Sequence, residues 1–185
     1  MSKVLVIMGS PRTGGNTNIL CQKFVKMLKK EIPEKDVYVA NIGFESELHP
    51  CKCCGACIEE CPIDDSIKEI LLHFDESDFV VWFTPIYFFQ MTGQSKVLID
   101  RLGASDKWEG KHFYFAFISG SSGRFGGEDI LFDIVERIAE WHNSYLGVCY
   151  HKMTNDEILP VNDKDLKFFT SVITDIKECM NNEII

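Results

Sequence analysis

The chain has 185 residues, 45% hydrophobic and 25% charged, with 19 Lys+Arg against 28 Asp+Glu and a net charge of −9. That balance argues against a nucleic-acid binder, which needs a basic stripe, and no apolar run reaches the roughly 20 residues of a membrane span. The length suits a single domain that buries about 70% of its unfolded surface and folds without staples.

Val4 to Met8 is a continuous apolar run of strand length, ending at Gly9. It has neither the h-region nor the cleavage site of a signal peptide, so the expected location is the cytoplasm. Ile19, Leu20, Phe24, Met27 and Leu28 then recur at helical spacing, and Pro33 stops that helix. Val37 to Ala40 is a second strand. A cysteine-rich insertion follows at about 49–63, and Asp64-Asp65-Ser66 offers caps to a helix carrying Ile67, Ile70, Leu71 and Phe74 on one side. Phe79 to Phe83 is apolar at every position, as in a strand buried on both faces.

Gln94 to Leu102 reads as a short helix and Phe113 to Ile118 as the fourth strand. Ile130, Leu131, Ile134, Val135, Ile138 and Trp141 trace a longer helix, Leu146 to Tyr150 is the fifth strand, and Leu166 to Ile176 marks the closing helix. Such alternation predicts an α/β fold: a flavodoxin-like three-layer sandwich around a five-stranded parallel sheet in the order 2-1-3-4-5. Ligands in such sheets bind beyond the carboxyl ends of the strands, at the switch point between strands 1 and 3.

Three loops stand there. Gly9 to Thr17 is glycine-rich and opens a helix, so it offers backbone N–H groups and a positive dipole end to an anion. Ser10, Arg12, Thr13, Asn16 and Thr17 add side-chain donors around Gly15. Pro85-Ile86-Tyr87-Phe88, continuing into Phe89, sets three consecutive aromatics where a flat cofactor would use their faces. Ser119-Gly120-Ser121-Ser122-Gly123 is small enough for backbone to approach a ring edge. The Walker lysine is absent, and so is the acidic ribose ligand of a dinucleotide site. Phosphate cradle, aromatic ledge and strand order together point to FMN.

Five of the eight cysteines, Cys51, Cys53, Cys54, Cys57 and Cys61, crowd the insertion. In a reducing compartment such density asks for a metal, a cluster or redox chemistry. Cys51, Cys54, Cys57 and Cys61 follow the ferredoxin run Cys-x2-Cys-x2-Cys-x3-Cys-Pro. Zinc is the alternative, although two separated pairs are its usual format. Cys21, Cys149 and Cys179 read as small buried groups, and His49 as a solvated loop residue.

Gly9-Ser10-Pro11-Arg12 with Gly15-Asn16-Thr17, and Pro85-Ile86-Tyr87-Phe88 through Gln94 and Lys96 to Asp100-Arg101, resemble the signature of the NAD(P)H-dependent FMN reductase family. The cysteine stretch ending in Asp64-Asp65 resembles its iron–sulfur flavoprotein branch, although the x3 gap before Cys61 is shorter than that branch uses. The resemblance covers residues 3–125 or so. It implies FMN, NADH or NADPH as cosubstrate, and a homodimer or homotetramer. The function expected is electron transfer from NAD(P)H through FMN to an acceptor, with no side chain as acid, base or nucleophile. The alternative is an electron carrier holding FMN and a [4Fe–4S] cluster and serving a ferredoxin-like partner. Lys96, Asp100 and Arg101 match the family pattern but read as solvated helix surface. Phe88, Phe89 and Trp108 are expected as an exposed apolar patch that a second subunit covers.

Overall fold

The computed structural model describes residues 3–43, 47–56, 61–103, 107–122 and 125–182, so Cys57 and Gly123 lie outside the described residues. Its elements in chain order are β1 (Val4–Met8), α1 (Asn16–Glu31), β2 (Val37–Asn41), α2 (Ile67–Glu76), β3 (Phe79–Tyr87) and β4 (Gln90–Met91). Then come α3 (Gly93–Leu102), β5 (His112–Ser119), α4 (Glu128–Trp141), β6 (Tyr145–Met153) and α5 (Asp163–Asn182). The parallel strands run β2-β1-β3-β5-β6, the expected flavodoxin-like order, and β4 is an added two-residue strand lying antiparallel on the end of β3.

Alternating side chains of each strand feed two cores. Val4, Val6, Val81, Phe83 and Tyr114 pack against Phe24 and Leu28 of α1 and Phe169 and Val172 of α5. Leu5, Ile7, Trp82, Phe115 and Phe117 pack on the other face against Phe74 of α2, Leu98 of α3, and Leu131 and Val135 of α4. Truncating a side chain as buried as Phe24 or Trp82 to alanine costs about 3–5 kcal/mol. Pro33 does follow the end of α1, whose last backbone bond runs from Ile32 N–H to Leu28 O at 2.9 Å. β3 runs past Phe83 because Thr84 and Pro85 still pair with Phe117 and Ile118 of β5.

The helix traced from Ile130 to Trp141 is α4; its packed stripe follows Leu131, Val135 and Ala139, and Trp141 at its end is 85% exposed. One expectation fails here. Trp108 belongs to no exposed patch. It is 3% exposed, stacked on His142 at 4.3 Å and Phe113 at 5.0 Å, with its indole N–H donating to Leu102 O at 2.8 Å.

Candidate functional site

The loop after β1 leads into α1 with Gly15 at the N-cap, no side-chain cap and no acidic residue in the first turn. The first N–H groups of a helix have no partner inside it, so this end is open to an anion. Among the predicted donors, Arg12 and Thr13 are exposed on the loop. Ser10 is buried, and its hydroxyl accepts the Arg12 N–H at 3.2 Å; Thr17 is buried as well. Asn16 does a different job: its amide donates to Glu157 O at 2.6 Å and accepts Leu159 N–H at 2.8 Å, fastening α1 to the loop after β6.

A buried hydroxyl network supports this loop from beneath. Thr92 donates to Gly9 O at 2.8 Å and, as N-cap of α3, accepts the Ser95 N–H at 3.2 Å. The Ser95 hydroxyl donates to Thr84 at 3.2 Å and accepts from the Trp82 indole at 3.3 Å. The residue just after β1 is kept small by this packing, because a Cβ on Gly9 would stand 2.4 Å from Ser95 Oγ and would displace that hydroxyl. Sequence reading passes over Thr84, Thr92 and Ser95; their one signal is hydroxyl side chains where apolar runs stop.

The aromatics form the tip of a hairpin. Tyr87 pairs with Gln90, and the two residues between them, Phe88 and Phe89, have φ of +48° and +64°. Two positive φ values are what a type I′ turn requires, and Asn-Gly is its usual occupant. Phe88 is 96% exposed, and Phe89 lies against Gly127, where a Cβ would meet Phe89 Cα at 2.7 Å. Pro85 and Ile86 lie on the paired end of β3, below the tip.

Ser119 ends β5 with its hydroxyl donating to Ser121 O and meeting His151 Nε2 at 2.7 Å. The other ring nitrogen, Nδ1, faces Glu128 Oε1 at 3.7 Å. Burial pulls the His151 pKa down, with Glu128 opposing. The end of β5 at Ser119 is therefore tied through His151 to β6, beside Glu128 at the start of α4. Nothing in the local sequence marks His151.

The cysteine segment joins β2 to α2. Cys51, Cys53 and Cys54 are exposed and Cys61 is half-buried, all as free thiols. Cys53 N–H donates to Cys51 Sγ at 3.3 Å, and Cys53 itself has φ +51°. Cys61 Sγ accepts from Arg101 Nη2 at 3.4 Å. Arg101 thus departs from the solvated role expected of it: its side chain is 2% exposed and bonds the Asp65 carboxylate at 2.5 Å. Burial pushes that carboxyl up, but bonds from His49 N–H, Arg101 and Ile67 N–H hold its pKa below the usual range. Lys96 and Asp100 do pair on the exposed face of α3. Among the other cysteines, only Cys21 is buried as expected, its pKa pushed up to about 12, whereas Cys149 and Cys179 are half-buried, with burial still raising Cys149 to about 11.

Residues 2–149 match the NADPH-dependent FMN reductase family. The chain belongs to that family. An iron–sulfur flavoprotein of Methanosarcina thermophila is 31% identical over 144 residues, 75% of this chain and 72% of the relative. One from Methanocaldococcus jannaschii is 38% identical over 102 residues, 54% of this chain but only 51% of the relative, so the match spans about half of that protein. Among solved structures, an NADH:FMN oxidoreductase in its apo form superposes with a TM-score of 0.68 at 18% identity, covering 95% of this chain and 88% of the other.

Against this FMN reductase background, the uncapped start of α1 fits a phosphate, and the hairpin beside it offers aromatic faces. The thiols are chemically suited to an iron–sulfur centre, and two of the sulfurs already accept N–H bonds. Among the described residues no three Cys, His, Asp or Glu side chains are gathered as a metal set.

Proposed function

We propose that this chain is an FMN-dependent oxidoreductase, a single FMN-binding domain with residues of about 49–63 inserted, moving electrons from NADH or NADPH through FMN to an acceptor. One observation carries the reading: the uncapped, acid-free N-terminus of α1 opens beside an exposed aromatic hairpin at the sheet's switch point. Ser10, Arg12, Thr13, Gly15, Asn16 and Thr17 would form the phosphate loop, with Asn16 acting through its hold on residues 157–159. Pro85, Ile86, Tyr87 and Phe88 would carry the ring, and Ser119, Gly120 and Gly123 would meet its edge.

Bound FMN supplies the hydride and single-electron chemistry, while the protein contributes position and electrostatics. Tyr87 and Phe88 provide flat contact. Ser119, oriented by His151, fixes the loop whose backbone would face the polar edge of the ring. The buried Thr92–Ser95–Thr84 network keeps the phosphate loop and the aromatic hairpin in one register.

A second reading, an electron carrier with a [4Fe–4S] cluster on Cys51, Cys54, Cys57 and Cys61 and a ferredoxin-like partner, is favoured by the N–H···S bonds at Cys51 and Cys61. The cytoplasm suits these reduced thiols. A homodimer or homotetramer would cover Phe88, Phe89 and Phe125, which are 96%, 41% and 74% exposed. Purified protein with a flavin spectrum should oxidise NADH or NADPH rapidly. Inertness to both, with reduction by ferredoxin, selects the carrier; a colourless protein that neither binds added FMN nor takes up iron overturns both.

A further inference from the structure

The two stems that flank the cysteine segment are tied together. Ser66 N–H donates to Glu47 O, and Glu47 N–H donates to Ser66 Oγ, each at 3.1 Å. One turn inward, Asp65 accepts the N–H of His49 at 2.8 Å and of Ile67 at 3.0 Å. Into this junction reaches Arg101 from α3. Its Nη1 donates to Asp65 Oδ2 and to His49 O at 3.4 Å, on the stem before the first cysteine. Its Nη2 donates to Ile63 O at 3.4 Å, on the stem after the last one, and to Cys61 Sγ at 3.4 Å. Its Nε finds no acceptor among the described residues.

We propose that Arg101 is the positioning residue of the cysteine segment: it clasps both stems to α3 and supplies the N–H···S bond that presents Cys61 as a ligand sulfur. The inference rests on reading the segment as an iron–sulfur site. A guanidinium holds five donors in a rigid fork, so a single side chain can span two stems and a sulfur; an ammonium on a flexible stem cannot. Burying that charge is tolerable only because Asp65 meets it. A hydrogen bond to a cluster sulfur stabilises the more negative, reduced state and so raises the reduction potential.

The far end of the same helix matters too. The ten residues of α3 span about 15 Å, with Arg101 at one end. At the other, Thr92 and Ser95 hold the loop after β1 and the end of β3. One rigid element therefore sets the cysteine segment relative to the proposed flavin loops.

The test compares Arg101→Gln and Arg101→Lys with Lys96→Ala, a surface control on the same helix. In metal-free protein, hydrogen exchange should rise at least tenfold in the peptide spanning residues 47–67 for Arg101→Gln, with α5 unchanged. After anaerobic reconstitution, Arg101→Gln should lose iron. Arg101→Lys, which keeps the buried charge, should retain iron but show a lower midpoint potential than the parent. Lys96→Ala should match the parent throughout. If Arg101→Gln does not fold, the same exchange and potential measurements on Arg101→Lys decide. Parent-like exchange together with a parent-like potential in the arginine variants overturns the proposal. A parent that takes up no iron overturns the iron–sulfur reading instead, and the exchange measurement then decides the clasp by itself.

Discussion

The guanidinium of Arg12 lies over the ring of Tyr87, 5.9 Å from its centroid. That contact links the anion loop after β1 to the aromatic hairpin after β3, with the positive charge between them. A ligand with a phosphate at one end and a flat ring at the other would meet both residues at once. Arg12→Ala should therefore weaken FMN by about 1.5 kcal/mol, roughly tenfold in Kd. Riboflavin, which lacks the phosphate, should bind the parent poorly and lose much less. Fluorescence titration of both ligands checks this, and equal losses would remove Arg12 from the phosphate.

The Phe88-Phe89 turn stores strain. Bulky residues at φ of +48° and +64° each cost on the order of 1–2 kcal/mol, and Phe88 recovers little of that by burial because it is 96% exposed. Asn tolerates the left-handed region. Phe88→Asn should raise unfolding stability by about 0.5–1 kcal/mol in urea titrations while lowering FMN affinity. Such opposite changes are what strain held at a ligand site produces; an unchanged urea midpoint would show that the turn carries none.

What the sequence conceals shares one physical cause, distance along the chain. The strands were legible because Val4 to Met8 and Phe79 to Phe83 are apolar without interruption and helical periodicity separates them. The anion loop was legible because its residues are contiguous. β4 was not: Gln90-Met91 is too short to show a period, and Phe-Phe is the wrong signal for its turn. Arg101 sits beside a solvated Lys96–Asp100 pair and looks like it; only Asp65, 36 positions away, reveals the buried role. Asn16 likewise finds its partners 141 and 143 residues on.

His151 should make stability depend on pH. Burial lowers its pKa in the folded protein below the ordinary value near 6.5. The unfolded chain then binds the proton first, so the folded state is favoured fully above about pH 6.5 and loses that advantage as pH falls towards the lowered value. Protonation would also place a charge beside Ser119, which holds the loop before α4. Urea unfolding at pH 7.5 and 5.5 should show a smaller acid loss in His151→Asn than in the parent. His142 is shifted the same way by burial, which is why the comparison with the parent is needed. Equal losses in the two proteins would remove His151 as the source.

The cysteine segment offers the sharpest test of which sulfurs matter. Cys53 has φ +51°, a conformation natural to glycine, and its backbone N–H donates to Cys51 Sγ at 3.3 Å. Its contribution is thus a turn and an N–H group, both of which survive loss of the side chain. Cys61 differs, because its sulfur is the atom that Arg101 contacts. Cys53→Gly should keep the iron content and visible spectrum of the reconstituted parent and resist urea slightly better, by about 0.5–1 kcal/mol. Cys61→Ser should lose the cluster. Iron analysis and visible absorption after anaerobic reconstitution decide between them: loss in Cys53→Gly with retention in Cys61→Ser would exchange the two residues in the ligand set, and zinc in place of iron in every variant would replace the cluster with a structural metal.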